Sequence, residues 1–204
     1  MNDSKRYSFN DPVIDRLLEV YFKGNEAARI FAAMTEREAW PLNIDHIAFR
    51  CLDIDRRAKA FLDGGYVFEG ETVSYPDQGW WAKIYRKPGR PALFVDQAFD
   101  DVRGEKSIIP QWVAKFGEED LHHAALLVKD IDPAIQVLKQ AGVEFAGETV
   151  GNPGSRLRQI FTASEIRDGA AYTVLELTER NGYTGFYHDQ ANRLMQSSVK
   201  KKST

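Results

Sequence analysis

Three side chains in this sequence have the types and settings that suit a divalent metal: His46, His123 and Glu176. Each of the two histidines lies seven residues before the first Asp of an Asp-Ile-Asp triplet, Asp53-Ile54-Asp55 or Asp130-Ile131-Asp132. Glu176 stands between Leu175 and Leu177 in a run that reads as a strand. A carboxylate in that setting is costly to bury unless it is paired or ligated. Two imidazoles and one carboxylate, with the remaining positions open, form the facial triad that suits non-heme Fe(II), and such a set also accepts Zn, Ni, Co or Mn. Three protein ligands leave room for substrate and oxygen, or for water. His122 is out of register with His46 and is expected to face the other way. His188 lies in the polar run His-Asp-Gln and is expected to be solvated.

Further candidates surround the triad. Arg50 lies four residues past His46 on the same face of the expected strand, roughly 13 Å along it at about 3.3 Å per residue. Its guanidinium can reach back toward the metal and grip a substrate carboxylate with two hydrogen bonds. Leu127 holds the equivalent place after His123. Of Arg158 and Gln159, one is expected to face the cavity and bind substrate. Lys83 and Tyr85 hold a similar place in the first half. Of Trp80 and Trp81, one is expected to pack and the other to line the cup. The position matching Glu176 in the first half is read as Val95, with Asp96 as a fourth ligand if the strand shifts by one.

The elements that position these residues come from an internal repeat. Residues 43–76 align with residues 120–153 without a gap, and 12 of the 34 positions are identical, where chance gives about two. Each copy opens with an apolar strand, 44–52 or 121–128. A helix of about eight residues follows, with Asp55 and Asp132 as N-caps and Pro133 at its first position. Gly65 and Gly142 stop it. Three further strands are predicted in each copy: 67–75, 80–85 and 92–96, then 144–150, 156–161 and 172–177. Helix is expected over 10–36, 105–117 and 187–197. The expected fold is α+β: two tandem βαβββ modules forming a cupped mixed sheet, with N-terminal helices. The organisation reads as an N-terminal helical segment over 1–38, a first module with its connecting helix over 39–115, a second module over 116–186, and a C-terminal helix and tail over 187–204.

Composition narrows the function classes. The net charge is -3 and the charged share 28%, so no basic surface calls for nucleic acid or an anionic membrane. The Lys-Lys-Lys-Ser-Thr tail reads as a solvated end. No apolar run approaches the roughly 20 residues that span a bilayer. One cysteine, Cys51, rules out an internal disulfide and fits a reducing compartment, so the expectation is a cytoplasmic protein. Both copies lie in one chain, which is compatible with a monomer or a homodimer.

The two βαβββ copies, with His46 and His123 on first strands and Glu176 on a last strand, resemble the vicinal oxygen chelate superfamily. That group includes glyoxalase I, extradiol dioxygenases, methylmalonyl-CoA epimerase and 4-hydroxyphenylpyruvate dioxygenase. Asp45-His46-Ile47-Ala48-Phe49-Arg50 looks like the His-x-x-x-Arg signature of the hydroxyglutarate-synthase-like (2-oxoadipate dioxygenase/decarboxylase) family. Glu179-Arg180-Asn181-Gly182-Tyr183-Thr184-Gly185-Phe186 and the N-terminal helices also resemble that family. The resemblance implies Fe(II) held by His46, His123 and Glu176, with Arg50 as the clamp on a small carboxylic acid substrate. The implied reaction is oxidative decarboxylation of a 2-oxo acid with O2. Two other readings stay open: a redox-silent lyase, isomerase or hydrolase, which a fourth ligand such as Asp96 would favour, and a binding module that sequesters a small molecule.

Overall fold

The computed structural model describes residues 9–37 and 42–197. The basic C-terminal tail lies outside the described residues. The chain divides into two compact units: His46–His122, and Met1–Asp45 together with His123–Thr204. The fold is α+β with N-terminal helices, as expected from sequence. No helix among the described residues is long and apolar enough to cross a membrane.

In the His46–His122 unit the strand order is β2-β3-β4-β1. Here β1 is Asn43–Cys51, β2 is Val67–Tyr75, β3 is Trp80–Arg86 and β4 is Ala92–Ala98. β1 runs parallel to β4, and β2, β3 and β4 form an antiparallel meander. The crossover from β1 contains helix α3, Ile54–Asp63. Its cap is Asp53, whose side chain accepts from the Arg56 amide at 3.0 Å, rather than Asp55. Asp53 is extended (φ -146°) and so has the cap conformation, while Asp55 already lies in the first turn. Phe49 packs on Phe61 of this helix, ring to ring at 4.9 Å. One face of the sheet is therefore covered by α3.

The connection that follows breaks in two. A 3₁₀ turn, Val102–Lys106, is followed by α4, Ile109–Phe116, in place of the continuous helix expected over 105–117. Ser107 is extended (ψ 136°), and Pro110 has no amide to continue a helix through it.

The other unit carries α1, Pro12–Gly24, capped by Asp11, and α2, Glu26–Arg37. Its main sheet has the order β5-β9-β6, formed by β5 (Leu121–Val128), β6 (Leu157–Phe161) and β9 (Val174–Arg180). β5 and β9 are parallel, and β6 is antiparallel to β9. Helix α5, Ile131–Gln140, is capped by Asp130, again the first Asp of its triplet and not the expected Asp132. Helix α6, His188–Ser197, brings Leu194 onto Val150, Phe161 and Val174.

Two departures from the repeat lie in this unit. The strand expected over 144–150 is only a pair of bridges, Phe145 to Thr162 and Val150 to Gln159. The advance from 145 to 150 is matched by only three residues on the partner, so the chain bulges between them. β2 carries the same irregularity at the same place, between Phe68 and Thr72: Phe68 to Val73 is matched on β3 by only Tyr85 to Ala82. The second departure is a short hairpin absent from the first copy, β7 (Ile166–Arg167) with β8 (Ala170–Ala171). Asp168 and Gly169, both at positive φ, form its turn. β9 accordingly starts at Val174, two residues later than predicted.

One buried anchor repeats in both units. Gln97 Oε1 accepts from the Ile54 amide at 2.8 Å, and Glu179 Oε2 accepts from the Ile131 amide at 2.9 Å. Each satisfies an otherwise orphan donor at a helix start.

Candidate metal centre

In the unit that carries β5 and β9, the parallel register sets His123 beside Val174 and Ala125 beside Glu176. Paired residues share a face, and alternate residues do too. His123, Ala125 and Leu127 therefore lie on one face with Glu176 and Thr178, and β6 adds Gln159 and Phe161. Glu176 is 1% exposed. Its Oε1 accepts from Gln159 Nε2 at 2.6 Å and from Thr178 Oγ1 at 2.7 Å. Its Oε2 stands 3.5 Å from His123 Nε2, too long for a strong hydrogen bond. Two ligand atoms about 2.0–2.2 Å from one first-row ion, at right angles or a little wider, stand roughly 3.0–3.5 Å apart. The observed gap fits such an ion. His123 packs on Phe161, with ring centroids 5.0 Å apart.

Arg158 takes the opposite face. Its guanidinium pairs with Asp132 at 2.8 Å and with Glu179 at 3.3 Å, over the start of α5. Of the two neighbours in β6, Gln159 shares the face of Glu176 and Arg158 does not. Arg158 is committed to carboxylates on the helix side, so the substrate-binding place expected for it is corrected.

In the His46–His122 unit, His46 pairs with Ala92, Ala48 with Phe94 and Arg50 with Asp96. All six share a face, and Ala82 and Ile84 of β3 join them. Ala125 pairs with Glu176, and its counterpart Ala48 pairs with Phe94. The counterpart of Glu176 is therefore Phe94, not Val95, which faces α3 with Leu93. His46 packs on Phe94 at 5.0 Å between ring centroids. Asp96 corresponds to Thr178 and lies on the His46 face.

Arg50 and Asp96 form a buried charged corner, each 2% exposed. The Arg50 guanidinium lies over the Trp112 ring at 5.5 Å. Burial lowers its pKa to about 10, opposed by Asp96, so it stays a cation at neutral pH. Burial pushes the Asp96 carboxyl up to about 7, opposed by Arg50 and His46. Asp96 Oδ1 has no hydrogen-bond partner among the described residues. His122 is buried edge-on to Trp112 at 6.0 Å, and only the backbone of His188 is described. Lys83 pairs with Asp55 at 2.5 Å on the α3 side. Of the two tryptophans, Trp80 is buried on the His46 face against Tyr75 at 4.3 Å, and Trp81 is on the other. Cys51 is buried and its thiol is pushed up to about 12 by burial.

Two side-chain roles are absent from the sequence reading, those of Thr178 and Arg180. Thr178 lies two past Glu176, so strand alternation alone would have found it. Arg180 donates to both carboxylate oxygens of Asp45, at 2.6 and 2.9 Å, and to the carbonyls of Tyr183 and Gly185. It thereby ties the residue preceding His46 to the Glu179–Phe186 motif.

Residues 45–161 match the family model of the Glyoxalase/Bleomycin resistance protein/Dioxygenase superfamily. The chain belongs to that superfamily. Its fold is shared with hydroxyglutarate synthase from Oryza sativa, solved in complex with 2-oxoadipate: TM-score 0.76, 18% identity, 94% of this chain and 92% of that one. A mutant of 4-hydroxymandelate synthase from Streptomyces coelicolor gives 0.63 at 20% identity, over 78% of this chain and 54% of that one. Methylmalonyl-CoA epimerase from Mycobacterium tuberculosis gives 0.51 at 23%, over 68% and 87%. No curated protein matches the chain.

Proposed function

We propose that this member of the superfamily is a metal-dependent dioxygenase that oxidatively decarboxylates a small 2-oxo carboxylic acid resembling 2-oxoadipate. His46, His123 and Glu176 hold the metal, Fe(II) by preference, and all three are buried. The observation that carries the reading is Glu176: a carboxylate deep among leucines, fastened at one oxygen and set at ligand spacing from His123 at the other. The internal repeat makes His46 the counterpart of His123. The fold likeness to a synthase solved with 2-oxoadipate supports the substrate class.

When bound, Fe(II) supplies Lewis acidity, a fixed orientation for the 2-oxo acid and redox access to O2. The chain's own residues do the rest. Arg50, a cation held over Trp112, grips the carboxylate at the far end of the substrate. Phe94 and Phe161 pack against the two imidazoles and fix their rotamers while keeping water away.

A redox-silent lyase, isomerase or hydrolase is the second reading, and Asp96 favours it as a buried carboxyl on the His46 face. Against it, Phe94 fills the place that matches Glu176, and Asp96 lies one pleat further along, roughly 7 Å away.

The test is anaerobic loading with Fe(II), followed by oxygen uptake with a panel of 2-oxo acids that includes 2-oxoadipate. Uptake with stoichiometric CO2 release is expected. No uptake with any 2-oxo acid by metal-loaded protein would contradict the proposal and favour the redox-silent reading.

A further inference from the structure

Glu176 is held asymmetrically. One oxygen, Oε1, takes two short hydrogen bonds, from Gln159 Nε2 at 2.6 Å and Thr178 Oγ1 at 2.7 Å. The other, Oε2, faces His123 Nε2 at 3.5 Å. All four side chains are buried, with Thr178 fully enclosed. The donors come from two strands: Thr178 lies two residues along β9 from Glu176, and Gln159 lies on β6, opposite Thr178. Two donors on one oxygen fix the rotation of the carboxyl group about its last bond. They also occupy the lone pairs that a chelating carboxylate would need on that oxygen.

We infer that Gln159 and Thr178 are positioning residues that make Glu176 a one-oxygen metal ligand, through Oε2 alone. The inference rests on the metal site proposed above. A chelating carboxylate takes two coordination positions. A one-oxygen ligand takes one, and the position it spares stays open to substrate or oxygen. A 2-oxo acid binding through two of its own oxygens, with O2 beside it, would need three open positions. A six-coordinate ion would offer them only if each protein ligand contributed a single atom. Holding Oε1 thus sets how many reactants the site accepts, and the first copy carries no equivalent: Ala82 and Asp96 stand where Gln159 and Thr178 do.

The experiment is infrared difference spectroscopy of metal-loaded minus metal-free protein, with Mn(II) or Fe(II) added anaerobically and glutamate 13C-labelled at the side-chain carboxyl. It is run on the full chain and on Gln159→Leu, Thr178→Val and Thr178→Ser, with Glu176→Ala to assign the band. Metal affinity is titrated on the same samples. A wide separation of the two carboxylate stretches, the mark of a one-oxygen ligand, is expected in the unaltered chain. Gln159→Leu and Thr178→Val should narrow that separation and weaken metal binding about 10- to 100-fold. Thr178→Ser, which keeps the hydroxyl, should restore both. A narrow separation in the unaltered chain, or bands and affinities unchanged in Gln159→Leu and Thr178→Val, overturns the inference. Equal loss in Thr178→Ser and Thr178→Val also overturns it, because packing and not the hydrogen bond would then be at work. If the unaltered chain binds no metal, or Glu176→Ala binds it equally well, the metal reading itself fails; the other adverse results leave that reading standing.

Discussion

The two copies of the repeat share their scaffold and differ along the face that carries the proposed metal ligands. Both place a histidine on the first strand with an aromatic ring against it, Phe94 for His46 and Phe161 for His123. Both tie the start of the crossover helix to a buried side chain, Gln97 or Glu179. Along that face they part. The second copy has Glu176, Thr178 and Gln159 where the first has Phe94, Asp96 and Ala82, and Arg50 in the first stands where the second has Leu127. On the proposed reading, a duplicated unit keeps one histidine per copy while giving the ligand carboxylate to one half and the substrate cation to the other. Symmetry persists where it builds the sheet and lapses along the face that carries the two histidines.

Four changes break or sharpen this contrast. The largest effect is expected from Glu176→Gln, which keeps the shape and removes the charge: oxygen uptake should fall by more than about a hundredfold, beyond the loss typical for outer partners of a ligand. Arg50→Ala should remove about 1.5–3 kcal/mol of charge-assisted binding, a roughly ten- to hundredfold rise in KM for dicarboxylic 2-oxo acids. Monocarboxylic substrates should be affected much less, so the ratio of the two KM changes is the readout.

Phe94→Glu copies the second half's ligand into the first. The new carboxylate would lack the Gln and Thr that fasten Glu176, and it would compete for an open position. Metal should stay bound while oxygen uptake falls by at least about tenfold. Retained uptake would mean that the position is not one the reaction uses.

The smallest effect concerns pH. The Asp96 carboxyl titrates at about 7 in the fold against an ordinary 3.8. Between those values the folded chain holds a proton that the unfolded chain has released, so this group favours folding at the acid end. That contribution is lost as pH rises through the window to about 7. Metal-free Asp96→Asn should therefore lose less stability than the unaltered chain from pH 4 to 7 in denaturant titrations. Parallel curves would show that Asp96 does not titrate in that window.

Much of this was legible in the sequence because the repeat carries register. An ungapped alignment fixed His46 on His123, and strand alternation then separated His123 from His122. Register was lost where the copies diverge in length. The β7–β8 hairpin lengthens the connection to the last strand of the second copy, so sequence spacing matches Glu176 to Val95 while pairing puts it on Phe94. A slip of one residue exchanges the faces of a strand. Arg158 and Gln159 posed the same problem. Both are polar and adjacent, and only the carboxylates of Asp132 and Glu179 reveal which side Arg158 takes. The caps pose a related problem: either Asp of each triplet can cap, and backbone geometry selects Asp53 and Asp130 over the expected Asp55 and Asp132.

The central claim is that His46 and His123 serve one ion. Its most direct test counts metal per chain after anaerobic loading and desalting, in the unaltered protein, His46→Ala, His123→Ala and the double variant. The account predicts one ion per chain, lost in both single variants. Two ions per chain with one lost in each single variant, or a full ion retained in His46→Ala, would contradict it.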